Sequence, residues 1–202
     1  FADFFRRYGS SALLILGLIA CYRISDVVMG VMSNSFYVDL QFSKTEVATI
    51  TKVYGVIMTL VGAALGGVLV MRFGTLRILF LGAVLTASTN LLFALLNEVG
   101  HNLELLTLII SLDNLSAGIA TAAFVTYLSS LTNVAFSATQ YALFSSIMLL
   151  LPKLLAGFSG RVVEQIGYSH FFIGTSLLGI PVMILIIMVA KRGSTLSPQT
   201  HK

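Results

Sequence analysis

The stretch from Tyr22 to Gly30 reads YRISDVVMG and lies inside a hydrophobic run from about Leu13 to Tyr37. A run of that length is sufficient to cross a bilayer as a helix. Arg23 and Asp26 stand three residues apart, so a helix places them on one face. Ionisable groups at membrane depth cost several kcal/mol, and they usually face a bundle interior or a watery cavity. The pair therefore predicts a membrane helix whose charged face is covered by other helices.

The composition places the whole chain in the membrane class. Hydrophobic residues make up 57% and charged residues 10% of the 202 residues, whereas a soluble domain carries about 25% charged residues. The formal charge of +4 is distributed between the hydrophobic runs, so it indicates membrane topology and not nucleic-acid binding. Cys21 is the single cysteine and no Cys/His cluster occurs, so we expect neither a disulfide framework nor a metal site.

Six segments are long and apolar enough to be membrane spans. Their approximate ranges are 12–37, 46–70, 76–96, 104–128, 138–163 and 170–190. Residues 1–11 are expected to be a cytoplasmic linker or an interfacial segment, with the linker favoured, and residues 191–202 a cytoplasmic tail. The sequence begins with Phe1 and carries no signal-peptide pattern, so we expect a longer parent chain to continue upstream.

The basic residues flanking the spans predict the orientation. Six crossings put both termini on the same side of the membrane. The flanks on that side contain Arg6, Arg7, Arg72, Arg77, Lys191, Arg192 and Lys202. The flanks on the opposite side contain Lys44 and Arg161. Because Lys and Arg accumulate on the cytoplasmic side, both termini are predicted to be cytoplasmic.

Charges inside the spans recur with a period of three helices. Asp26 and Asp113 lie in spans one and four, Lys52 and Lys153 in spans two and five, and spans three and six carry no charge. Since three is odd, the second triplet is inverted in the membrane relative to the first. Inverted repeats are typical of secondary transporters, whose sites lie near the midplane. The fold prediction is an all-α membrane protein, a six-helix bundle with a 3+3 inverted repeat.

Some of these residues also have purely structural explanations. Lys52 could reach the interface by snorkelling, and Arg23 with Asp26 could be a neutralised pair. The GxxxG pattern over residues 62–66 is explained most simply by close helix packing. Asp113 has no evident partner on its own helix, which makes it the first candidate for a titrating carboxylate and Asp26 the second.

The loop between spans two and three reads GVLVMRFGTLR over residues 67–77. It resembles the cytoplasmic loop signature of the major facilitator superfamily, and the matching residues, expected to form a gating loop, are Gly67, Arg72, Gly74 and Arg77. Met71 stands where that pattern has an aspartate. The charged latch that this family forms there would therefore be incomplete in this half.

Longer stretches resemble the AmpG-type muropeptide permeases, in the C-terminal half of that family. The likeness covers about residues 12–192 and is carried by YRISDVVMGVMSNSFYVDLQFSKTEVATITKVYG (22–55), GGVLVMRFGTLRILFLGAVLTASTNLLFALL (66–96), LDNLSAGIATAAFVTYLSSL (112–131), ATQYALFSS (138–146) and LLLPKLLAG (149–157). The resemblance implies proton-driven import of cell-wall muropeptides across the bacterial inner membrane. It also implies that this chain is half of a major facilitator fold, without six N-terminal spans.

A muropeptide is an anionic glycopeptide with carboxylates and many hydroxyls. Basic side chains suit its carboxylates, and amide or phenol groups suit its hydroxyls. The substrate-binding candidates are Arg23, Lys52, Lys153, Asn114, Gln140 and Tyr22. Asp113 or Asp26 would exchange the coupling proton.

The leading functional prediction is half of a proton-coupled secondary transporter, with no cofactor besides the proton gradient. The alternative is a non-transporting membrane fragment or assembly subunit that needs an N-terminal half or a second copy to form a pathway. The expected partners are the lipid bilayer, the glycopeptide, and that missing half or a homodimer partner. No Ser/His/Asp set, metal-ligand cluster or nucleotide loop occurs, so an enzyme is not expected.

Overall fold

The computed structural model describes residues 2–132 and 137–195, and its regular structure over those ranges is helical. The helices are α1 (Ala2–Tyr8), α2 (Ala12–Cys21), α3 (Ile24–Asp39), α4 (Lys44–Thr49), α5 (Val56–Phe73), α6 (Thr75–Val99), α7 (Leu103–Leu131), α8 (Ser137–Ala156), α9 (Ser159–Leu177) and α10 (Gly179–Thr195). A 3₁₀ turn at Gly9–Ser11 joins α1 to α2, and a π-helical segment at Ile50–Gly55 joins α4 to α5.

Six largely helical stretches of the described residues are long and apolar enough to cross a membrane. They are Phe4–Asp39, Lys44–Phe73, Thr75–Val99, Leu103–Leu131, Ala138–Ala156 and Ser159–Arg192. The prediction of a six-helix membrane bundle is therefore confirmed. The helical bounds differ from the predicted spans mainly in the last third of the chain.

The fifth crossing continues past the end of α8. Residues 138–163 are the predicted fifth span, but α8 ends at Ala156 and a tight turn leads into α9. Ser159 Oγ donates to the Val28 carbonyl at 3.3 Å, and Tyr168 Oη donates to Asp39 at 2.7 Å. The first turns of α9 thus follow α3 towards its C-terminal end and complete the crossing.

The sixth crossing begins after a sharp reversal at Gly167. This glycine has φ 76° and ψ 169°, a conformation that side chains with a Cβ rarely adopt. After it, the Thr175 carbonyl accepts from Ser25 Oγ at 2.7 Å, and Arg192 Nη1 donates to the Ser10 carbonyl at 3.4 Å. The chain therefore runs back along the first span to the end where that span begins.

The N-terminal segment is helical and packs into the bundle. Residues 1–11 were expected to be a linker or a short interfacial helix, and residues 2–8 form the helix α1. Phe4 is fully buried, and its ring lies 5.2 Å from that of Phe144. Aromatic burial explains why this short segment packs against α8.

At the other end of the chain α10 continues to residue 195, and residues 196–202 of the predicted tail lie outside the described residues.

The main helix pairings remain the same when the first triplet, spans one to three, is exchanged with the second, spans four to six. Span one (α2 and α3) packs on span five (α8), and span four (α7) correspondingly packs on span two (α5). Span three (α6) packs on span four, as span six (α9 and α10) packs on span one. Spans three and six pack on each other. These five pairings map onto one another or onto themselves, as the predicted 3+3 repeat requires, whereas α5 also packs on α6 without a comparable contact between α8 and α9.

The GxxxG pattern produces the closest contact in this arrangement. A Cβ added to Gly62 would lie 2.2 Å from the Leu115 carbonyl oxygen, and one added to Gly66 would lie 2.9 Å from Ile119 Cα. From the other helix, a Cβ on Gly118 would meet backbone of α5 at 2.4 Å. The absence of side chains at these positions lets α5 and α7 touch through their backbones, as expected for small residues in membrane helices.

Candidate transport site

Arg23 and Asp26 lie at a break in the first span. α2 ends at Cys21 and α3 begins at Ile24, because Arg23 adopts φ −94° and ψ 5° instead of helical angles. Asp26 therefore stands in the first turn of α3, where the helix dipole stabilises a negative charge. Arg23 Nη2 donates to Asp26 Oδ2, and the two side chains are 26% and 25% exposed. The pair is formed and is only partly buried.

Arg23 also connects the two triplets. Its Nη1 donates to Thr121 Oγ1 on α7 at 3.4 Å. A cavity of about 20 Å³ lies beside this contact and is lined by Tyr22, Arg23, Asp26 and Thr121, among others. That volume holds a single water molecule. A glycopeptide does not fit inside this cavity.

Asp113 receives its partner from span three. Thr89 Oγ1 of α6 lies 2.9 Å from Asp113 Oδ1. Asp26 and Asp113 also interact electrostatically, so the structure brings the two candidate carboxylates into the same region. The sequence expectation that Asp113 has no partner on its own helix is compatible with this arrangement, since the partner comes from another helix.

The side chains of Tyr22 and Asn114 make hydrogen bonds and packing contacts within the bundle. Tyr22 is 7% exposed, its hydroxyl donates to the Leu79 carbonyl at 3.2 Å, and its ring stacks on Phe124 at 4.4 Å. Asn114 Nδ2 donates to its own helix, and its Oδ1 accepts from Thr59 Oγ1 at 3.0 Å. The Tyr22 hydroxyl would have to give up its hydrogen bond before it could donate to a substrate, whereas Asn114 Nδ2 carries a second proton.

Gln140 lies apart from the Arg23 region. It is buried at the start of α8, where its Oε1 accepts from Arg7 Nη2 at 3.2 Å. The same Arg7 atom donates to the Leu131 carbonyl at 3.1 Å, at the C-terminal end of α7. The amide thus joins α1 to α8 at the end of the bundle where the first span begins.

Lys52 and Lys153 are exposed on the surface of the bundle. Lys52 belongs to the π-helical segment and lines a groove of about 360 Å³ together with Asn34, Tyr37 and Lys44. Lys153 follows Pro152 in the last turns of α8, among exposed apolar side chains such as Leu154, which is 60% exposed. Neither lysine reaches the Arg23 cavity within the described structure.

The residues of the loop motif form the turn between spans two and three. Gly74 has φ 87° and ψ 152°, which ends α5 and allows α6 to start at Thr75. Arg72 lies in the last turn of α5, with its guanidinium 5.7 Å from the Phe73 ring centre. Met71, at the position of the missing aspartate, is 81% exposed. Gly67 and Arg77 lie on the flanking helices α5 and α6.

Sequence reasoning missed a buried polar cluster made by Ser25, Asn90 and Thr175. Asn90 is fully buried, and its Nδ2 donates to Ser25 Oγ at 2.9 Å and to Thr175 Oγ1 at 3.2 Å. The cluster joins spans one, three and six, although no charged residue of the predicted spans three and six pointed to a polar contact there. The run of three polar residues at 88–90, inside an otherwise apolar span, is the signal that could have revealed it.

Comparisons with known proteins give one consistent family. The model of the Major Facilitator Superfamily matches residues 13–202. A Rickettsia felis protein named "Putative transporter AmpG 4" is 33% identical over 95% of this chain and 46% of its own length. "Putative transporter AmpG 1" of Rickettsia bellii is 31% identical over 91% of this chain and 45% of its own length. The chain therefore spans less than half of the length of these relatives.

The family match covers nearly the whole chain, and the six apolar helices with their exchange-symmetric pairing fit half of that family's fold. The chain is a multi-pass membrane protein that belongs to the Major Facilitator Superfamily.

Proposed function

We propose that this chain forms one half of a proton-coupled importer of muropeptides. The observation that carries the proposal is the convergence of an arginine and two carboxylates, Arg23, Asp26 and Asp113, where the two triplets of a major facilitator chain meet. The AmpG names of the relatives support the choice of substrate. The excess of basic residues near both termini supports a bacterial inner membrane orientation with cytoplasmic ends.

A second half completes the pathway in this proposal. The Arg23 cavity holds one water, the chain spans 46% of its Rickettsia felis relative, and Lys52 and Lys153 are exposed. Charged groups facing lipid would cost several kcal/mol each, which favours a covering partner. An N-terminal half encoded upstream is the partner proposed first. A second copy of this chain, related by an axis normal to the membrane, is the other.

The test is uptake of labelled anhydromuropeptide into membrane vesicles under an imposed proton gradient. The chain is produced together with the six N-terminal spans of an AmpG-type relative. We expect Asp113→Asn and Asp26→Asn to lose gradient-driven accumulation. Full accumulation by both variants would contradict the role of the carboxylates in coupling.

Substrate affinity provides a separate measurement on the same assembly. Arg23→Ala and Lys153→Ala are expected to weaken muropeptide binding about tenfold or more, since each removes a charged hydrogen-bond donor. Unchanged affinity in both variants would remove the proposed anion site.

The chain's short coverage of its relatives also favours a second candidate, a non-transporting fragment or assembly subunit. A monomeric mass in detergent, together with no uptake in the presence of either partner, would favour that alternative. A stable complex with gradient-driven uptake would contradict it.

A further inference from the structure

The hydroxyl of Thr89 lies between two oxygen atoms that both compete for its proton. Thr89 Oγ1 is 2.9 Å from Asp113 Oδ1 and 3.0 Å from the backbone carbonyl oxygen of Thr86. The residue is 4% exposed, so bulk water does not compete for these contacts. A threonine hydroxyl carries one proton and can donate it to one acceptor at a time.

The two protonation states of Asp113 therefore require different orientations of this hydroxyl. When Asp113 is a carboxylate it can only accept, so Thr89 must donate to it. When Asp113 is a carboxylic acid it can donate to Thr89 Oγ1, and the Thr89 proton is then free to turn to the Thr86 carbonyl. Both arrangements use the same positions of the heavy atoms.

We propose that Thr89 is a positioning residue for proton exchange, which keeps Asp113 hydrogen-bonded in both protonation states by rotating its hydroxyl between Asp113 and the Thr86 carbonyl. The inference rests on the proposed function, in which Asp113 exchanges the coupling proton. It adds a residue of span three, which carries no charge, to the coupling machinery. No side chain has to change its rotamer when the proton arrives or leaves.

The charged and titratable groups around Asp113 come mainly from α3. Asp26 and Tyr37 interact with Asp113 electrostatically, and Asp26 is paired with Arg23. Lys52 and Tyr54, in the π-helical segment that also packs on α7, are exposed, as is Lys153 of α8, and Tyr141 is half-buried near the start of α8. The titratable groups of α5 and α6 lie at helix ends: Arg72, Arg77 and Glu98. Thr89 contacts Asp113 directly and is uncharged, so substituting it leaves the charges around Asp113 unchanged.

The test follows protonation of Asp113 by infrared spectroscopy in the purified chain, reconstituted in lipid nanodiscs. The carboxylic-acid band that disappears in Asp113→Asn belongs to Asp113, and its intensity is recorded against pH. In Thr89→Val the carboxylate loses its donor, and an unpaired buried charge costs more than an unpaired neutral acid. The pH at which the Asp113 band falls to half of its full intensity, called the midpoint below, should therefore rise by about one unit, a tenfold change in proton affinity.

Two variants control for general effects of the substitution. Thr89→Ser keeps the hydroxyl and should restore the parent midpoint. Thr59→Val removes a similar shared hydroxyl, which contacts the Gly55 carbonyl at 2.8 Å and Asn114 Oδ1 at 3.0 Å, and should leave the midpoint unchanged. An unchanged midpoint in Thr89→Val, or an equal shift in Thr59→Val, would overturn the proposal.

The unmutated chain tests the proposal without reliance on the folding of a variant. Its Asp113 acid band should lie at the frequency of a hydrogen-bonded carboxylic acid, and the band of a free acid would overturn the proposal. The spectroscopic result for Thr89 can be distinguished from the result of the uptake test of the proposed function. Gradient-driven uptake by Asp113→Asn would remove the coupling role, whereas the spectroscopic midpoint tests the Thr89 contact by itself.

Discussion

Arg23 and Asp26 combine features of a structural ion pair and of a binding site. Each neutralises the other at the start of α3, yet about a quarter of each side chain stays exposed. Arg23 also reaches Thr121 on α7, so its guanidinium is shared between the pair and the contact between triplets. A partly exposed pair of this kind can exchange partners more readily than a fully buried one, because less desolvation has to be reversed.

Removing one member of this pair should destabilise the chain more than removing both. Asp26→Asn leaves the Arg23 charge without its carboxylate at membrane depth, and we expect a loss of about 1–3 kcal/mol. The double variant Arg23→Gln, Asp26→Asn should recover most of that loss. Unfolding in detergent measures both effects. A double variant whose loss equals the sum of the losses in Asp26→Asn and in Arg23→Gln alone would show that the residues act independently.

The charged candidates were predictable from the sequence, and several of their contacts were not. Asp26 and Asp113 are identifiable because a carboxylate is rare in an apolar span. Gln140 has the correct chemistry for a substrate contact. Helical periodicity assigns a residue to one face of its helix, but it does not determine how deep in the membrane the residue lies. In the structure Gln140 binds Arg7 at one end of the bundle. The polar run at 88–90 indicates a polar position inside the span, but the contacts of Asn90 with Ser25 and Thr175 depend on packing between spans that are distant in sequence.

At the scale of helices, the apolar composition predicted the number of spans correctly, but it did not predict where individual helices end within them. Hydropathy identifies a segment that prefers lipid, but the ends of a helix depend on turns and on tertiary contacts. The break at Arg23 inside the first predicted span and the end of α8 at Ala156 inside the predicted span 138–163 are two such cases. The GxxxG pattern was correctly interpreted as a packing surface, because small residues have a direct steric consequence.

Gly62→Ala should test the contact between α5 and α7. The new Cβ would lie 2.2 Å from the Leu115 carbonyl oxygen, and backbone cannot move aside as a side chain can. We expect a loss of about 1–3 kcal/mol in unfolding free energy from this overpacking. Gly67→Ala is the matched control, since it lies on the same helix with nothing within 4 Å of the added Cβ. Equal stability of the two variants would contradict close backbone contact at Gly62.

Gly167→Ala should test the reversal between the fifth and sixth crossings. The position has φ 76° and ψ 169°, a region that is essentially restricted to glycine and costs about 1–3 kcal/mol for other residues. Thermal unfolding should fall accordingly. Gly174→Ala, also on α9 and with open space around its Cβ, should retain the parent stability. A stable Gly167→Ala variant would mean that the reversal does not depend on this backbone conformation.

At the scale of the whole molecule, the symmetric pairing of the triplets leaves different surfaces for different neighbours. Spans three and six pack together and carry no Asp, Glu, Lys or Arg over residues 78–96 and 170–190, which suits contact with lipid. Spans two and five carry exposed lysines, which suits a watery interface with a second half. The three-helix period of the charges therefore corresponds to a division of the surface that a complete transporter requires.

This division predicts which positions meet water in the assembled protein. In a Cys21→Ser background, cysteines at Lys52 and Lys153 should react with a charged thiol reagent once the second half is present. Cysteines at Leu91 and Leu95 of α6, which are 47% and 49% exposed, should react slowly because lipid covers them. The readout is the labelling rate in membranes, with and without the second half. If the lysine positions stayed as unreactive as the α6 positions, spans two and five would not line a watery pathway, and the half-transporter proposal would lose its geometric basis.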